Sequence, residues 1–250
     1  MTSFQIGLQP YTIRDAMAED YIGSLKKVAA LGFQGVELGG PPTGMTVHNQ
    51  KTLCDDLGLH VISKGFPFDS VDVNLKEFVD DMDTLNTSFA MLSMRFDSKK
   101  DVLSKAAKLN EAGEVLHKRG KTLLYHNHDW EFQTFDGEYV LDILMRETNP
   151  ECVQLELDTY WVQKGGVDPA SYIEKYKQRC PLLHIKDMEA GDEGFFAEIG
   201  QGVLDFASIL EAAKEAGTSW LIVEQDQCRR DPFESLAISL QQLKQWHLMP

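Results

Sequence analysis

Long apolar runs are missing from this sequence. No stretch approaches the roughly 18 consecutive apolar residues that a membrane-spanning helix needs, so no membrane partner is expected. Basic residues are scarce: 24 Lys and Arg stand against 39 Asp and Glu, a formal net charge of -15. Nucleic-acid binding relies on cationic side chains neutralising phosphates, so this balance counts against a nucleic-acid partner. Cysteine is sparse as well. Cys54, Cys152, Cys180 and Cys228 are scattered, with no CxxC pair, and read as free thiols in a reducing compartment. The N-terminal MTSFQIGLQPY lacks a charged segment leading into an apolar run, so no signal peptide is read and a cytoplasmic location is the expectation. No low-complexity linker interrupts the chain. The Gly39 to Gly44 cluster (GGPPTG) reads as a loop, and residues 1–250 are expected to form one domain.

What is present is a rhythm. Short apolar runs alternate with longer amphipathic stretches at helical spacing. The runs are Phe4 to Gln9, Phe33 to Leu38, Leu59 to Lys64, Ser88 to Phe96, Thr122 to His126, Val153 to Asp158, Leu182 to Lys186 and Trp220 to Glu224. Helices are expected at Tyr21 to Leu31, Gln50 to Leu57, Leu75 to Leu85, Val102 to Lys118, Tyr139 to Arg146, Pro169 to Lys177 and Phe206 to Ala216. Gly32, Gly58, Gly120 and Gly217 stop four of them. Phe233, Leu236, Leu240 and Leu243 form one stripe of a last helix. The strands are apolar almost throughout, as when both faces are covered, and the alternation favours a parallel sheet. Eight such units in 250 residues predict closure into a (β/α)8 TIM barrel. The main rival, an open doubly wound sheet, often carries a Gly-rich loop after strand 1. Here that loop is QPYTIRD, without a glycine.

Barrels of this kind build their sites where strands end. Strand 1 closes on Gln9, strand 2 carries Glu37 and strand 3 ends at Lys64. Strand 5 ends at His126, followed by Asn127, His128, Asp129 and Glu131. Strand 6 ends at Asp158, strand 7 carries His184 and Lys186, and strand 8 ends at Glu224. Four consecutive strands thus deliver His126, Asp158, His184 and Glu224 to one rim. Imidazoles with carboxylates suit one divalent ion such as Mn, Zn, Fe or Co. Each residue also has a plainer reading. Asp158 fits a turn cap, Glu224 a partner for Arg229 or Arg230, and Lys186 a partner for Glu156 or Asp187. A shared cation explains all four positions at once.

The segments GFQGVEL (Gly32 to Leu38), YHNHDWEF (Tyr125 to Phe132), LELDTYWVQKGGVDP (Leu155 to Pro169), LLHIKDM (Leu182 to Met188), EIGQGVLDF (Glu198 to Phe206) and IVEQD (Ile222 to Asp226) span most of the chain. Together they resemble the xylose isomerase-like barrel superfamily, in its sugar phosphate isomerase/epimerase-like branch. The resemblance implies one divalent metal, manganese first and zinc, magnesium, cobalt or iron after it. It also implies a small polyhydroxylated substrate and a homo-oligomer as a state to expect. Asp158, His184 and Glu224 match three ligand positions directly. The strand-5 position usually holds Glu and here holds His126, with Glu131 as a nearby replacement. The expected activity is isomerisation or epimerisation by proton removal alpha to a carbonyl. A dehydratase of the inosose type and a non-catalytic sugar-binding barrel are the alternatives. Catalytic roles are expected for Glu224, His126, Glu131 and Lys186, and substrate contacts for Gln9, Glu37, His128 and Trp161. EIGQGVLDF offers backbone amides near strand 7, or its glycines only shape a turn.

Overall fold

A computed structural model describes residues 4–68 and 74–249; Met1 to Ser3 of the N-terminal segment read above lie outside them. The chain forms a closed barrel of eight parallel strands. They are β1 (Gln5–Leu8), β2 (Gly35–Leu38), β3 (His60–Gly65), β4 (Phe89–Leu92), β5 (Thr122–His126), β6 (Val153–Asp158), β7 (Leu182–Ile185) and β8 (Trp220–Val223). Each strand pairs with its neighbours in sequence, and β1 closes on β8 with Gln5 opposite Trp220. The predicted fold is therefore observed.

The large apolar cluster lies between the strands and the outer helices, where Leu25, Val28, Leu109, Leu116, Ile173 and Leu243 pack against strand residues such as Ile6, Leu155 and Leu183. A smaller one joins Ile62, Leu124, Leu182, Trp220 and Ile222. These five share the inward parity of their strands, because side chains alternate with period two. Gly7 and Gly35 leave room for this plug. A Cβ on Gly7 would lie 2.2 Å from Ile62 Cδ1, and one on Gly35 would lie 2.9 Å from the Trp220 ring. The same parity, one step further along each strand, brings Glu37, His126, Glu156, Asp158 and His184 into the barrel mouth. The plug below is apolar and the layer above is polar.

Several boundaries differ from expectation. The run predicted as strand 4 to Phe96 leaves the sheet after Leu92. Its carbonyls are taken elsewhere: Met94 accepts from Tyr125 Oη at 2.9 Å and Trp130 Nε1 at 3.1 Å, and Phe96 accepts from Gln133 Nε2 at 3.2 Å. Helix Val47–Asp56 starts earlier than expected because Thr46 caps it, accepting from Asn49 N at 3.1 Å. An unforeseen helix, Thr159–Lys164, follows β6 directly. A 3-10 turn and a short helix fill the loop after β1. All four cysteines are free thiols. Among the described residues, no helix is long and apolar enough to cross a membrane.

Candidate metal centre and substrate pocket

Four strands place His126, Asp158, His184 and Glu224 so that one ligand atom from each lies within 4.8 Å of all the others. His184 Nδ1 is 2.8 Å from Glu224 Oε2 and 3.9 Å from Asp158 Oδ2. His126 Nε2 is 3.9 Å from the same Asp158 oxygen. Ligands about 2.0–2.2 Å from one ion sit about 3 to 4 Å from each other, so these separations fit a shared first-row cation. Asp158 also serves as the cap suggested by its position. Its Oδ1 accepts from Trp161 N at 2.9 Å, which starts the extra helix and leaves Oδ2 for the cluster. Asn127 Oδ1 accepts from Asp158 N at 3.0 Å and ties the end of β5 to β6.

Beneath this set lies a second pair of carboxylates. His184 Nε2 bonds Glu37 Oε2 at 2.7 Å and lies 3.4 Å from Glu156 Oε2. His126 Nδ1 faces that Glu156 oxygen at 3.7 Å. His184 thus has one nitrogen toward Asp158 and Glu224 and the other toward Glu37 and Glu156, while His126 has one toward Asp158 and the other toward Glu156. Glu156 was read from the sequence only as a partner for Lys186. Its signal was there, since it precedes Asp158 by two and so shares its inward face.

The charges do not balance. Glu37, Glu156, Asp158 and Glu224 are buried with Asp226 close by, against the cations Lys186 and His184. Neither oxygen of Glu156 nor Asp158 Oδ2 makes a hydrogen bond. Burial raises Asp158 to about 6 despite Lys186 and His184. Burial and the charge of Glu37 raise Glu156 to about 8. Burial opposes ionised Glu224, yet Lys186 and His184 hold it down to about 2. Burial also opposes charged His184, but Glu156 and Glu37 raise it well above the ordinary range. His126 is pushed well below that range by burial and by His184. A buried excess of negative charge with oxygens that accept no hydrogen bond is what a bound divalent cation would satisfy. The donor set fits such an ion.

Above the cluster lies a cavity of about 320 Å³ lined by Gln9, Tyr11, Met91, Ser93, His126, His128, His184, Glu224 and Asp226. His128 stacks on Trp130 with ring centroids 3.9 Å apart, and its Nδ1 lies 3.0 Å from Ser93 Oγ. Burial and nearby Lys186 lower His128 to about 3, so its ring is neutral. Lys186 Nζ reaches Asp158, Glu224 and Asp226.

Some expectations need correction. Glu131 does not reach the cluster. Its Oε1 accepts from Tyr125 Oη and its Oε2 from His128 N at 2.8 Å, so it braces the loop after β5. Glu37 is 1% exposed beneath His184 and is not presented to the cavity. Trp161 packs against Tyr160 and Phe196, with its ring centre 5.3 Å from that of His128 and 5.5 Å from Lys186 Nζ. Lys186 pairs with neither Glu156 nor Asp187. Arg229 and Arg230 pair with Glu189 and Glu198, not with Glu224. The amides of EIGQGVLDF are already used: Gly200, Gly202 and Leu204 donate to the buried carboxylate of Asp187. Gln9, His128, His126, His184 and Glu224 line the cavity. Ser93, Tyr11 and Asp226 join them without having been foreseen; Asp226 lies two residues beyond Glu224.

The chain belongs to the xylose isomerase-like TIM barrel family, whose profile matches residues 25–246. An inosose dehydratase from Lacticaseibacillus casei is 32% identical over 148 residues, 52% of this chain and 49% of that protein. The chain thus spans about half the length of the curated relatives it matches at this level. Another inosose dehydratase, from Bacillus cereus (strain AH820), is 24% identical over 253 residues, 84% of each protein. The crystal structure of a sugar phosphate isomerase/epimerase from Parabacteroides distasonis ATCC 8503 is 26% identical, with a TM-score of 0.87 over 100% of this chain and 96% of that one.

Proposed function

We propose that this protein is a metal-dependent enzyme that removes a proton alpha to the carbonyl of a small polyhydroxylated ketone. The convergence of His126, Asp158, His184 and Glu224 on one point carries the reading. A divalent ion held by these four, manganese first and zinc, magnesium, cobalt or iron after it, would supply Lewis acidity toward a carbonyl and a neighbouring hydroxyl.

The protein's own groups divide the remaining work. Glu224 is a carboxylate held ionised by Lys186 and His184 against the cost of burial, and its place on the cavity wall lets it take the alpha proton. Lys186 keeps its ammonium 2.7 Å from Glu224 and is placed to donate to an oxygen that gains charge. Neutral His128, fixed by Ser93 and Trp130, orients a substrate hydroxyl. Gln9 forms the wall beside it, held by its bond to Glu37 at 3.0 Å.

The position of Glu131 bears on the reaction type. Epimerisation through two glutamates from strands 5 and 8 needs a strand-5 partner for Glu224, and Glu131 faces away. One carboxylate base with one ammonium acid suits dehydration. The alpha proton passes to Glu224, the β carbon–oxygen bond breaks, and the hydroxyl leaves as water with a proton from Lys186. The similarity to inosose dehydratases supports this course. Isomerisation or epimerisation is the second reading, supported by the likeness to the Parabacteroides structure and by His126 as an alternative proton carrier.

A screen of keto-sugars, inososes and 3-keto-glycosides with added manganese tests the proposal. Dehydration yields a dehydrated ketone, whereas epimerisation yields a stereoisomer carrying solvent deuterium by NMR. Asp158→Ala is expected to abolish either product and reduce bound metal. Full activity in metal-free Asp158→Ala would rule the scheme out.

A further inference from the structure

We infer that Lys186 is a built-in cation that competes with the divalent ion for Asp158 and Glu224, and that Asp226 is where its ammonium rests once the ion is bound. The inference depends on the metal reading above. Lys186 follows the end of β7, two residues beyond His184, and its side chain is 1% exposed. Its Nζ lies 2.9 Å from Asp158 Oδ2, 2.7 Å from Glu224 Oε2 and 2.7 Å from Asp226 Oδ1.

The first two oxygens are the ones that face the histidines. Asp158 Oδ2 is 3.9 Å from both His126 Nε2 and His184 Nδ1, and Glu224 Oε2 is 2.8 Å from His184 Nδ1. An ion drawn into this set would meet the ammonium on the same two oxygens. Like charges at about 3 Å repel strongly inside a protein, so both cannot hold these oxygens at full contact.

The third contact differs. The Asp226 bond has hydrogen-bond geometry, while the Asp158 oxygen makes an ion pair without one. Asp226 is outside the four-residue set and lines the cavity. Its backbone is anchored to the neighbouring loop after β1, since its carbonyl accepts from Arg14 Nη1 at 2.8 Å. The ammonium therefore has a fixed partner that the metal does not use. In the metal-free protein, Lys186 offsets charge that would otherwise stand uncompensated. When the ion enters, the ammonium is confined to Asp226 at the cavity wall, where a substrate oxygen comes within reach. Metal loading and placement of the proton donor become one event.

The test is calorimetric titration of manganese into the full chain after metal removal by a chelator. The wild type is expected to bind one ion, and Lys186→Met to bind it about tenfold tighter because the competing charge is gone. Asp226→Asn is expected to bind about threefold to tenfold weaker, because the lysine then stays on Asp158 and Glu224. In the double variant Lys186→Met/Asp226→Asn, the Asp226 change should lose its effect. A Lys186→Met affinity equal to or weaker than wild type overturns the inference. So does an Asp226→Asn weakening that persists without the lysine, since that marks a general charge effect. If a melting curve shows Lys186→Met unfolded, Lys186→Gln takes its place in the single and the double variant, with the same expected and overturning results. No binding by the wild type itself overturns the metal reading underneath.

Discussion

Glu37 on β2 and His184 on β7 meet across the barrel mouth, with Glu37 Oε2 2.7 Å from His184 Nε2. Ser63 and Gln9 donate to the same carboxylate and fix its orientation. Burial opposes the charge on Glu37, but His184 outweighs it and holds the group ionised below its ordinary range. A carboxylate at the far nitrogen of a ligating histidine sets its tautomer and strengthens it as a donor. Glu37→Gln should therefore weaken manganese binding about tenfold to a hundredfold, measured by calorimetry. Unchanged metal affinity with a raised KM would instead return Glu37 to the substrate-contact role first expected of it.

The metal-free protein should lose stability as pH rises from about 5 to 8. Burial raises Asp158 to about 6, Glu131 to about 7 and Glu156 to about 8, from ordinary values near 4. Each binds its proton more tightly folded than unfolded. The stability they add is complete below the unfolded values and is lost as pH climbs through the folded ones. Glu224 does not oppose this trend, because its folded value of about 2 and its ordinary 4.5 both lie below the window. His126 and His128, neutral in the fold, do oppose it below about 6.5, where their unfolded forms carry protons, so the fall is steepest from about 6 to 8. Denaturant unfolding in chelator should show a fall on the order of 1 kcal/mol per pH unit. Glu131→Gln should flatten part of the slope while leaving metal affinity unchanged. Stability that climbs across this range would contradict the argument.

Asp187 holds the loop after β7. Its carboxylate accepts from the backbone N–H groups of Met188 at 2.8 Å, Gly200 at 2.9 Å, Gly202 at 2.8 Å and Leu204 at 3.2 Å. A Cβ on Gly202 would lie 2.2 Å from the Met188 carbonyl oxygen, so the wrap requires glycine there. Asp187→Asn turns an amide group toward backbone donors and should cost about 3 kcal/mol. The melting temperature should drop by roughly 6–12 °C in a scanning measurement. An unchanged melting temperature would show that the loop does not depend on this carboxylate.

The sites at the strand ends were readable because their cause is local. A strand alternates sides with period two, so His184 and Lys186 must share a face, as must Glu156 and Asp158. Lys186 was correctly placed on the inner side, yet its partners were not readable. They come from β6 and from the loop after β8, and closure of the barrel brings them together. Glu131 was read as a ligand candidate because it is a carboxylate close to His126 in sequence. Its direction was set by Tyr125 Oη and the His128 amide within the folded loop.

The eightfold alternation, the barrel it closes into and the four residues of β5 to β8 that meet around one point were all legible along the chain. These follow from the periodicity of apolar and polar residues along each segment, which a single strand or helix enforces on its own. Barrel closure was needed to set Glu37 and Glu156 beneath the histidines, to turn Glu131 away from the cluster, to bring Trp161 against His128, and to seat the ammonium of Lys186 on Asp226. Those outcomes depend on which groups meet across the barrel and in its loops, where hydrogen bonds and charges from distant segments compete for the same buried space.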